Sequence, residues 1–195
     1  MQVALARCFS LANATGVCSV APDMKFPLIV PLLFLLAGPA AAAPLQPALS
    51  GLAFLVGNWS GGHGKVADTG GTSTGWSAFT AEANGGVLLR RDHTDLSNAA
   101  GAPVGGFDQI MMIYPEGRQI HAEYADGRHL IHYVSAVVDA GRAVTFTSAA
   151  QPGAPVFTLN YTLTGAKTLA VSFAMATPGG GAPRPIATGT MTRRP

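Results

Sequence analysis

The stretch that decides the fold covers residues 52–64 and reads Leu-Ala-Phe-Leu-Val-Gly-Asn-Trp-Ser-Gly-Gly-His-Gly. Its first part is continuously apolar, and Ser50 just before it can accept a hydrogen bond from a free backbone N–H. These features predict a short helical turn over residues 51–56, after a Pro-containing linker at 44–50. We therefore expect an apolar plug at one end of a β-barrel, followed directly by the first barrel strand.

Downstream of this stretch the chain has no helical periodicity longer than two turns. Short runs rich in Val, Ile, Thr, Tyr and Phe alternate with Gly, Pro, Asn and Asp, a pattern typical of a sandwich or barrel. Short connections favour sequential antiparallel pairing, and such a meander exposes two edges unless it closes. The predicted fold is therefore all-β, a single antiparallel up-and-down barrel of about ten strands over residues 43–195 with a short N-terminal helical plug. The predicted strands are 57–67, 72–82, 87–96, 106–114, 118–125, 128–138, 142–149, 155–163, 167–175 and 184–193.

Two dipeptides, Asn84-Gly85 and Asp126-Gly127, are typical of type I′ hairpins, which need positive φ at both central residues. Directly opposed residues share a face of the sheet, so each turn also predicts which side chains lie together. The first turn pairs Val87 with Glu82, Leu89 with Thr80, Arg91 with Ala78, and His93 with Trp76. The second pairs His121 with His132 and Glu123 with Leu130.

The composition predicts one Gly-rich domain and excludes few partners. Of 195 residues, 48% are apolar and 11% are charged, and there are 24 Gly and 14 Pro. A formal charge of +2 is too small to indicate binding to nucleic acid or to an anionic membrane surface.

Residues 24–42 have the basic start, apolar centre and small-residue end of a secretory signal peptide. A membrane anchor is the alternative, but the apolar centre is about half the ~20 residues that a spanning helix needs. The predicted mature chain starts at Ala43. Residues 1–23 lack the character of a signal or a fold, so we interpret them as a mis-annotated extension ahead of the true start at Met24.

Both cysteines of the sequence, Cys8 and Cys18, precede Met24, so the predicted mature chain has none. An exported domain without disulfides must be held by its core alone. We therefore expect a periplasmic or secreted bacterial protein that does not stay inserted in a membrane once its signal peptide is removed.

Gly57-Asn58-Trp59 after the apolar turn, together with Arg193 and Arg194 at the end of the last strand, resembles the calycin superfamily of lipocalins and fatty-acid-binding proteins. In that superfamily a Gly-x-Trp on the first strand packs under an Arg from the last strand. A guanidinium over an indole gains a cation–π contact and can bond free carbonyls of the plug. The resemblance implies barrel closure by Trp59 with Arg193 or Arg194.

Two narrower resemblances follow from other stretches of the chain. Residues 54–59 and 106–115 look like a family of exported, lipocalin-like bacterial proteins with no established activity. The opening Gly-x-Trp is also similar to the nitrobindins, ten-stranded haem barrels with an axial His near the start of the final strand. Here residues 181–186 read Gly-Ala-Pro-Arg-Pro-Ile and contain no His, so the sequence departs from the haem-binding pattern.

A candidate ligand site follows from the first hairpin. Trp76, Arg91 and His93 share a face with Val87, Leu89 and Ala78, so Arg91 is a cation inside the barrel if this apolar face is interior. A buried cation needs a partner, and fatty-acid-binding barrels use interior Arg and Tyr on a ligand carboxylate. We expect Trp76, Arg91, His93 and Tyr124 to bind the polar end of a small, mostly apolar or amphipathic ligand.

A candidate metal site follows from the second hairpin. His121, Glu123 and His132 share a face, and two imidazoles with a carboxylate could hold Zn²⁺. That face is the more polar of the two, so solvated surface histidines are the simpler interpretation.

No established catalytic signature is present in the predicted mature chain. The preferred function is therefore non-catalytic binding of a small apolar ligand, and no cofactor is predicted. The alternatives are a hydrolase or isomerase using His93 or His121 as acid or base, a haem or zinc barrel, and an outer-membrane barrel.

Overall fold

The structure is a computed structural model and describes residues 43–195, which form a closed barrel of ten antiparallel strands with a 3₁₀ helix before the first strand. Every strand pairs with its neighbours in the chain, and β1 closes the sheet on β10, so the predicted up-and-down barrel is confirmed. The 3₁₀ helix Pro47–Leu55 is called the plug below. The strands are β1 Gly57–Val66, β2 Thr72–Glu82, β3 Val87–Ser97, β4 Pro103–Glu116, β5 Gln119–Ala125, β6 Leu130–Asp139, β7 Ala143–Ser148, β8 Val156–Gly165, β9 Thr168–Ala176 and β10 Arg184–Arg193.

The N-terminal predictions concern residues outside this range. The expected extension at 1–23, the signal peptide at 24–42 and both cysteines lie outside the described residues, and they stay predictions. Within the described residues no helix has the length and apolarity needed to cross a membrane.

The plug fills one half of the barrel. Leu49, Leu52 and Leu55 are fully buried and belong to one core cluster with Trp59 and Leu88. Burying side chains of this size contributes about 1.5–3 kcal/mol each. This end is therefore a packed core.

Arg193 covers the indole of Trp59 at the plugged end. Its guanidinium carbon lies 4.2 Å from the centre of the Trp59 ring, and its Nη2 donates a hydrogen bond to the Phe54 carbonyl at 2.6 Å. A second nitrogen, Nη1, donates to the carbonyl of Val56, and the indole N–H donates to the Leu55 carbonyl at 2.8 Å. The guanidinium therefore satisfies the carbonyls left free where the plug ends.

Arg194 has a different role. Its side chain is exposed and hydrogen-bonds the Ser60 hydroxyl, while its backbone N–H donates to the Asn58 carbonyl at 2.8 Å. Of the two arginines that the sequence offered for closure, only Arg193 lies over the indole.

The first predicted hairpin has the predicted register. Glu82 pairs with Val87 and Trp76 with His93, and both Asn84 and Gly85 have positive φ. The Gly86 N–H donates to the Ala83 carbonyl at 3.1 Å, which closes the turn.

The second predicted hairpin is shifted by two residues. Glu123 pairs with His132, whereas the sequence predicted Glu123 opposite Leu130 and His121 opposite His132. The reason is the carboxylate of Asp126, which accepts the backbone N–H groups of Arg128 and His129 at 2.9 and 2.7 Å. These bonds hold a four-residue loop, 126–129, in place of a two-residue turn. Because the shift is even, each side chain keeps its predicted face.

The open half of the barrel contains a break in the wall at β1. The pairing of β1 shifts between Gly62 and Lys65 on the β10 side and between Gly61 and Gly64 on the β2 side, and His63 has positive φ. Such a bulge bends the strand locally and leaves backbone groups out of the ladder. The bulge therefore places the backbone of Gly61, Gly62 and Gly64 at the rim of the open end.

Candidate ligand cavity

A cavity of about 410 Å³ occupies the half of the barrel away from the plug. Its walls are largely apolar and come from strands all around the barrel. They include Val66, Leu96, Phe107, Leu159, Val171 and Phe173. Small-molecule sites are typically concave, mostly apolar and about 300–1,000 Å³, so this cavity has the size and character of a ligand site.

A buried ion pair lies where the cavity meets the packed core. Arg90 is only 3% exposed, and its Nη2 lies 2.8 Å from Asp92 Oδ2. The same guanidinium donates to the Tyr161 hydroxyl and, at 3.3 Å, to Gln109 Oε1. Ser77, directly opposite Asp92 on β2, is buried beside the pair.

The ionisation of this cluster follows from its burial. Burial acts to lower the pKa of Arg90, but the nearby Asp92 and Tyr161 outweigh it and the pKa is raised. Burial raises the pKa of Asp92, while Arg90 and Ser77 oppose the rise. Burial also raises the pKa of Tyr161 to about 12, so its hydroxyl keeps its proton at neutral pH.

A second polar chain runs from this cluster toward the mouth. The Tyr124 hydroxyl contacts Gln109 Oε1 at 3.2 Å and Asp126 Oδ2 at 3.1 Å, and Gln109 Nε2 donates to Thr94 at 2.8 Å. The guanidinium of Arg90 also lies 5.6 Å from the centre of the Tyr124 ring. Tyr124, one of the residues predicted for the ligand site, therefore lines the cavity and touches its polar cluster.

The prediction that Arg91 is the cation inside the barrel is wrong, because Arg91 faces solvent. Successive strand residues point to opposite faces, so the buried cation is its neighbour Arg90. The apolar residues Val87 and Leu89 made the wrong face look interior. The cavity is lined by the other face of the hairpin, which carries Arg90 and Asp92.

One strand pairing would have identified the correct face. Trp59 is interior and pairs with Ser77, which in turn pairs with Asp92. Opposed residues share a face, so Asp92 and Arg90 must also be interior. The loop between β1 and β2 contains Gly70-Gly71, which is compatible with a hairpin turn, but the β1 bulge between Gly61 and Gly64 shifts the register by one residue beyond it. A shift of one residue inverts the faces, so the pairing of Trp59 with Ser77 could not be read from the turn alone.

Trp76 and His93 lie at the mouth. Trp76 is 40% exposed, and the ring of His93 contacts Asp108 at 2.8 Å and Asp95 at 3.2 Å. Hydrogen bonds to the carboxylates of Asp108 and Asp95 stabilise the protonated ring and raise the pKa of His93. These two residues therefore contribute to the rim, not to the buried polar cluster.

The residues considered for zinc lie on the outer face of β5 and β6. His132 hydrogen-bonds Glu123, and the ring centres of His121 and His132 are 6.2 Å apart. Within residues 43–195 no group of three or more His, Cys, Asp or Glu side chains is arranged to hold a metal ion.

The start of β10 does not supply the haem ligand that the nitrobindin resemblance would require. Ile186 and Ala187 line the cavity there, and Arg184 and Pro185 precede them. None of these side chains ligates iron. The two histidines at the cavity, His93 and His129, are each bound to a carboxylate through Nδ1.

Comparison with known proteins supports the fold alone. No protein-family model matches the sequence, and no curated protein is similar to it in sequence. The crystal structure of Rv2717c from M. tuberculosis is similar at a TM-score of 0.55 and 17% identity, covering 77% of this chain and 99% of that one. The structure of EF1p2_mFAP2b bound to DFHBI is a more distant match, with a TM-score of 0.41, 14% identity and coverage of 74% and 98%. The similarity to Rv2717c supports the fold of a closed ten-stranded barrel.

Proposed function

We propose that this barrel binds a small, mostly apolar molecule in the cavity at its open end, without chemical change, and that it does so in the periplasm or outside the cell. The observation that carries the proposal is the cavity itself. It has about 410 Å³ of space, apolar walls and a small number of buried polar groups at its base. A barrel without a ligand role would gain stability from filling this space, as it does around the plug.

The positions of the histidines favour binding over acid–base catalysis. His121 lies on the outer face and His93 is at the rim, bound to two carboxylates. A general acid or base must lie within hydrogen-bonding reach of the reacting group. Neither residue meets the buried polar cluster where the polar end of a ligand would lie.

Titration with Nile red, an uncharged apolar dye, tests the proposal. Val171 lines the cavity and Val137 is exposed on the outside of β6, so Val171→Trp and Val137→Trp make the same substitution inside and outside. We expect one dye per wild-type protein, unchanged binding to Val137→Trp, and roughly tenfold weaker binding or more to Val171→Trp, because the indole occupies the cavity. Equal binding to both variants would place the dye on the outer surface and overturn the proposal.

Native mass spectrometry of protein purified from its own host addresses the natural ligand. The natural ligand would be a small molecule that co-purifies with the wild type and with Val137→Trp but not with Val171→Trp.

A further inference from the structure

Tyr133 is a cavity residue whose hydroxyl has no hydrogen-bond partner among the described residues. Tyr133 is only 1% exposed, lines the cavity, and packs its ring against Phe146 with 6.0 Å between ring centres. No residue in the described range 43–195 hydrogen-bonds its hydroxyl, and burial is the main cause of the raised pKa of Tyr133. The other cavity tyrosines differ, since Tyr161 is bonded to Arg90 and Tyr124 to Gln109.

A cavity hydroxyl without a protein partner can donate its hydrogen bond to a bound molecule, and a neutral hydrogen bond of this kind contributes about 0.5–1.5 kcal/mol. Arg90 Nε and Asp92 Oδ1 also lack partners among the described residues, but both belong to the ion pair. Of the three cavity tyrosines, Tyr133 is therefore the one whose hydroxyl is available to a ligand.

The charges around the cavity limit what that ligand can be. Arg90 is paired with Asp92 at 2.8 Å, so the buried cluster carries no net charge. The remaining carboxylate in the cavity, Asp126, is bound to His129 at 3.0 Å and adds negative potential toward the mouth. A carboxylate ligand would therefore meet a guanidinium already occupied by Asp92, and burying an uncompensated charge is costly.

Tyr133 acts as a donor in this setting. Burial raises the pKa of Tyr133, although the charge of Arg90 opposes the rise, so the phenol keeps its proton at neutral pH. A protonated phenol can donate its hydrogen bond to an oxygen acceptor on a ligand.

We propose that the ligand is an uncharged apolar molecule with one strong hydrogen-bond acceptor, such as the carbonyl oxygen of a ketone or ester, that accepts the hydrogen bond of Tyr133. This inference rests on the proposed function and narrows its ligand class. It differs from the carboxylate ligand of the fatty-acid-binding barrels, because the interior arginine here already has a carboxylate, that of Asp92.

Displacement of Nile red by three ten-carbon probes tests the ligand class. The probes are 2-decanone, decanoate and decylamine at pH 7.5, which differ mainly in the charge of the head group. We expect 2-decanone to bind at least about tenfold more tightly than either charged probe, a difference of about 1.4 kcal/mol. Decanoate as the tightest probe would overturn the inference.

The variant Tyr133→Phe tests the assigned residue. It removes only the hydroxyl, so the protein should fold with unchanged urea midpoint, while its affinity for 2-decanone falls by roughly fivefold, as loss of one hydrogen bond predicts. Its affinity for decylamine should not change. Tyr114→Phe is the matched control, since Tyr114 bonds Glu123 and does not line the cavity, and it should leave all three affinities unchanged.

Failure of this inference is distinct from failure of the proposed function. If all three probes bind alike and Val171→Trp blocks them all, the barrel binds ligands in its cavity but Tyr133 does not select them. If no probe responds to Val171→Trp, the cavity is not the binding site and both proposals fall.

Discussion

Two arginines inside the same barrel are stabilised in different ways. Arg193 is satisfied by backbone carbonyls and by the face of Trp59. Arg90 depends on one carboxylate, Asp92, and among the described residues its Nε and Asp92 Oδ1 have no hydrogen-bond partner. Arg193 therefore stabilises the closed end of the barrel, whereas the buried charge of Arg90 is compensated mainly by its ion pair with Asp92.

Arg193→Lys should destabilise the protein by about 2–4 kcal/mol, because an ammonium cannot reach two carbonyls and stack on an indole at once. Arg194→Lys should change stability by less than about 0.5 kcal/mol, since Arg194 is exposed. Urea unfolding followed by tryptophan fluorescence measures both. Equal effects of the two substitutions would show that the indole contact does not close the barrel.

Arg90→Met should destabilise the protein by about 3–5 kcal/mol, because it leaves Asp92 buried without its cation. The double variant Arg90→Met/Asp92→Leu should recover most of that loss, since it removes both charges and fills similar volume. Chemical denaturation of the two variants and the wild type checks this. A double variant no more stable than the single one would mean that the pair itself stabilises the barrel.

The interior face was the part of the site that sequence could not fix. Turn dipeptides predicted the pairing of β2 with β3, including Trp76 opposite His93, but pairing says which residues share a face and not which face is inside. Both faces of β3 carry apolar and charged residues, so Arg90 and Arg91 were equivalent candidates. The deciding pairing, Trp59 with Ser77, lies beyond the β1 bulge between Gly61 and Gly64, which shifts the register by one residue and so hides the pairing from the sequence.

At the scale of elements, side chains in the turns decide the register. Asn84-Gly85 is closed by its own backbone conformation, and its predicted register is correct. In the loop 126–129 the Asp126 side chain replaces backbone hydrogen bonds, which lengthens the loop and shifts β5 against β6. The sequence located both turns. The length was predictable only for Asn84-Gly85, whose geometry depends on backbone φ, and not for the loop 126–129, whose geometry depends on a side chain.

The stability contributed by Asp126 should depend on pH. Burial acts to raise the pKa of Asp126, but hydrogen bonds from His129, Arg128 and Tyr124 outweigh it and lower the pKa to about 2 from its ordinary value of 3.8. A lowered carboxyl pKa means that the stabilisation is present above about pH 4 and is lost as the pH falls through about 2.

We expect Asp126→Ala to be less stable than wild type by about 1–3 kcal/mol at pH 7, with the difference shrinking between pH 4 and pH 2. Asp126→Asn keeps an acceptor for the loop N–H groups but has no carboxyl group to titrate. Its stability should therefore lack the part of the pH dependence between pH 4 and pH 2 that Asp126 contributes. Urea unfolding of all three proteins at several pH values measures the differences. A gap between Asp126→Ala and wild type that stays constant down to pH 2 would contradict the assigned role.

At the scale of the whole molecule, the barrel divides into a packed half and a hollow half. The same two strands, β3 and β4, pass through both, pairing Leu88 with Ile113 beside the plug and Thr94 with Phe107 beside the cavity. The backbone ladder is continuous between these points, so differences in local stability must come from the side chains they enclose.

This division predicts a gradient of hydrogen exchange along β3 and β4. Amides near Leu88 and Ile113 should exchange at least about tenfold more slowly than those near Thr94 and Phe107, because opening the hollow end breaks fewer buried contacts. Nile red at saturation should slow exchange at the hollow end only, since a ligand stabilises the state that binds it. Val171→Trp should reduce the gradient without added dye by filling the cavity, and Val137→Trp should leave it unchanged. Exchange measured by NMR on the wild type and both variants tests the whole sequence of effects, and uniform protection along the two strands would show that the cavity does not weaken its half of the barrel.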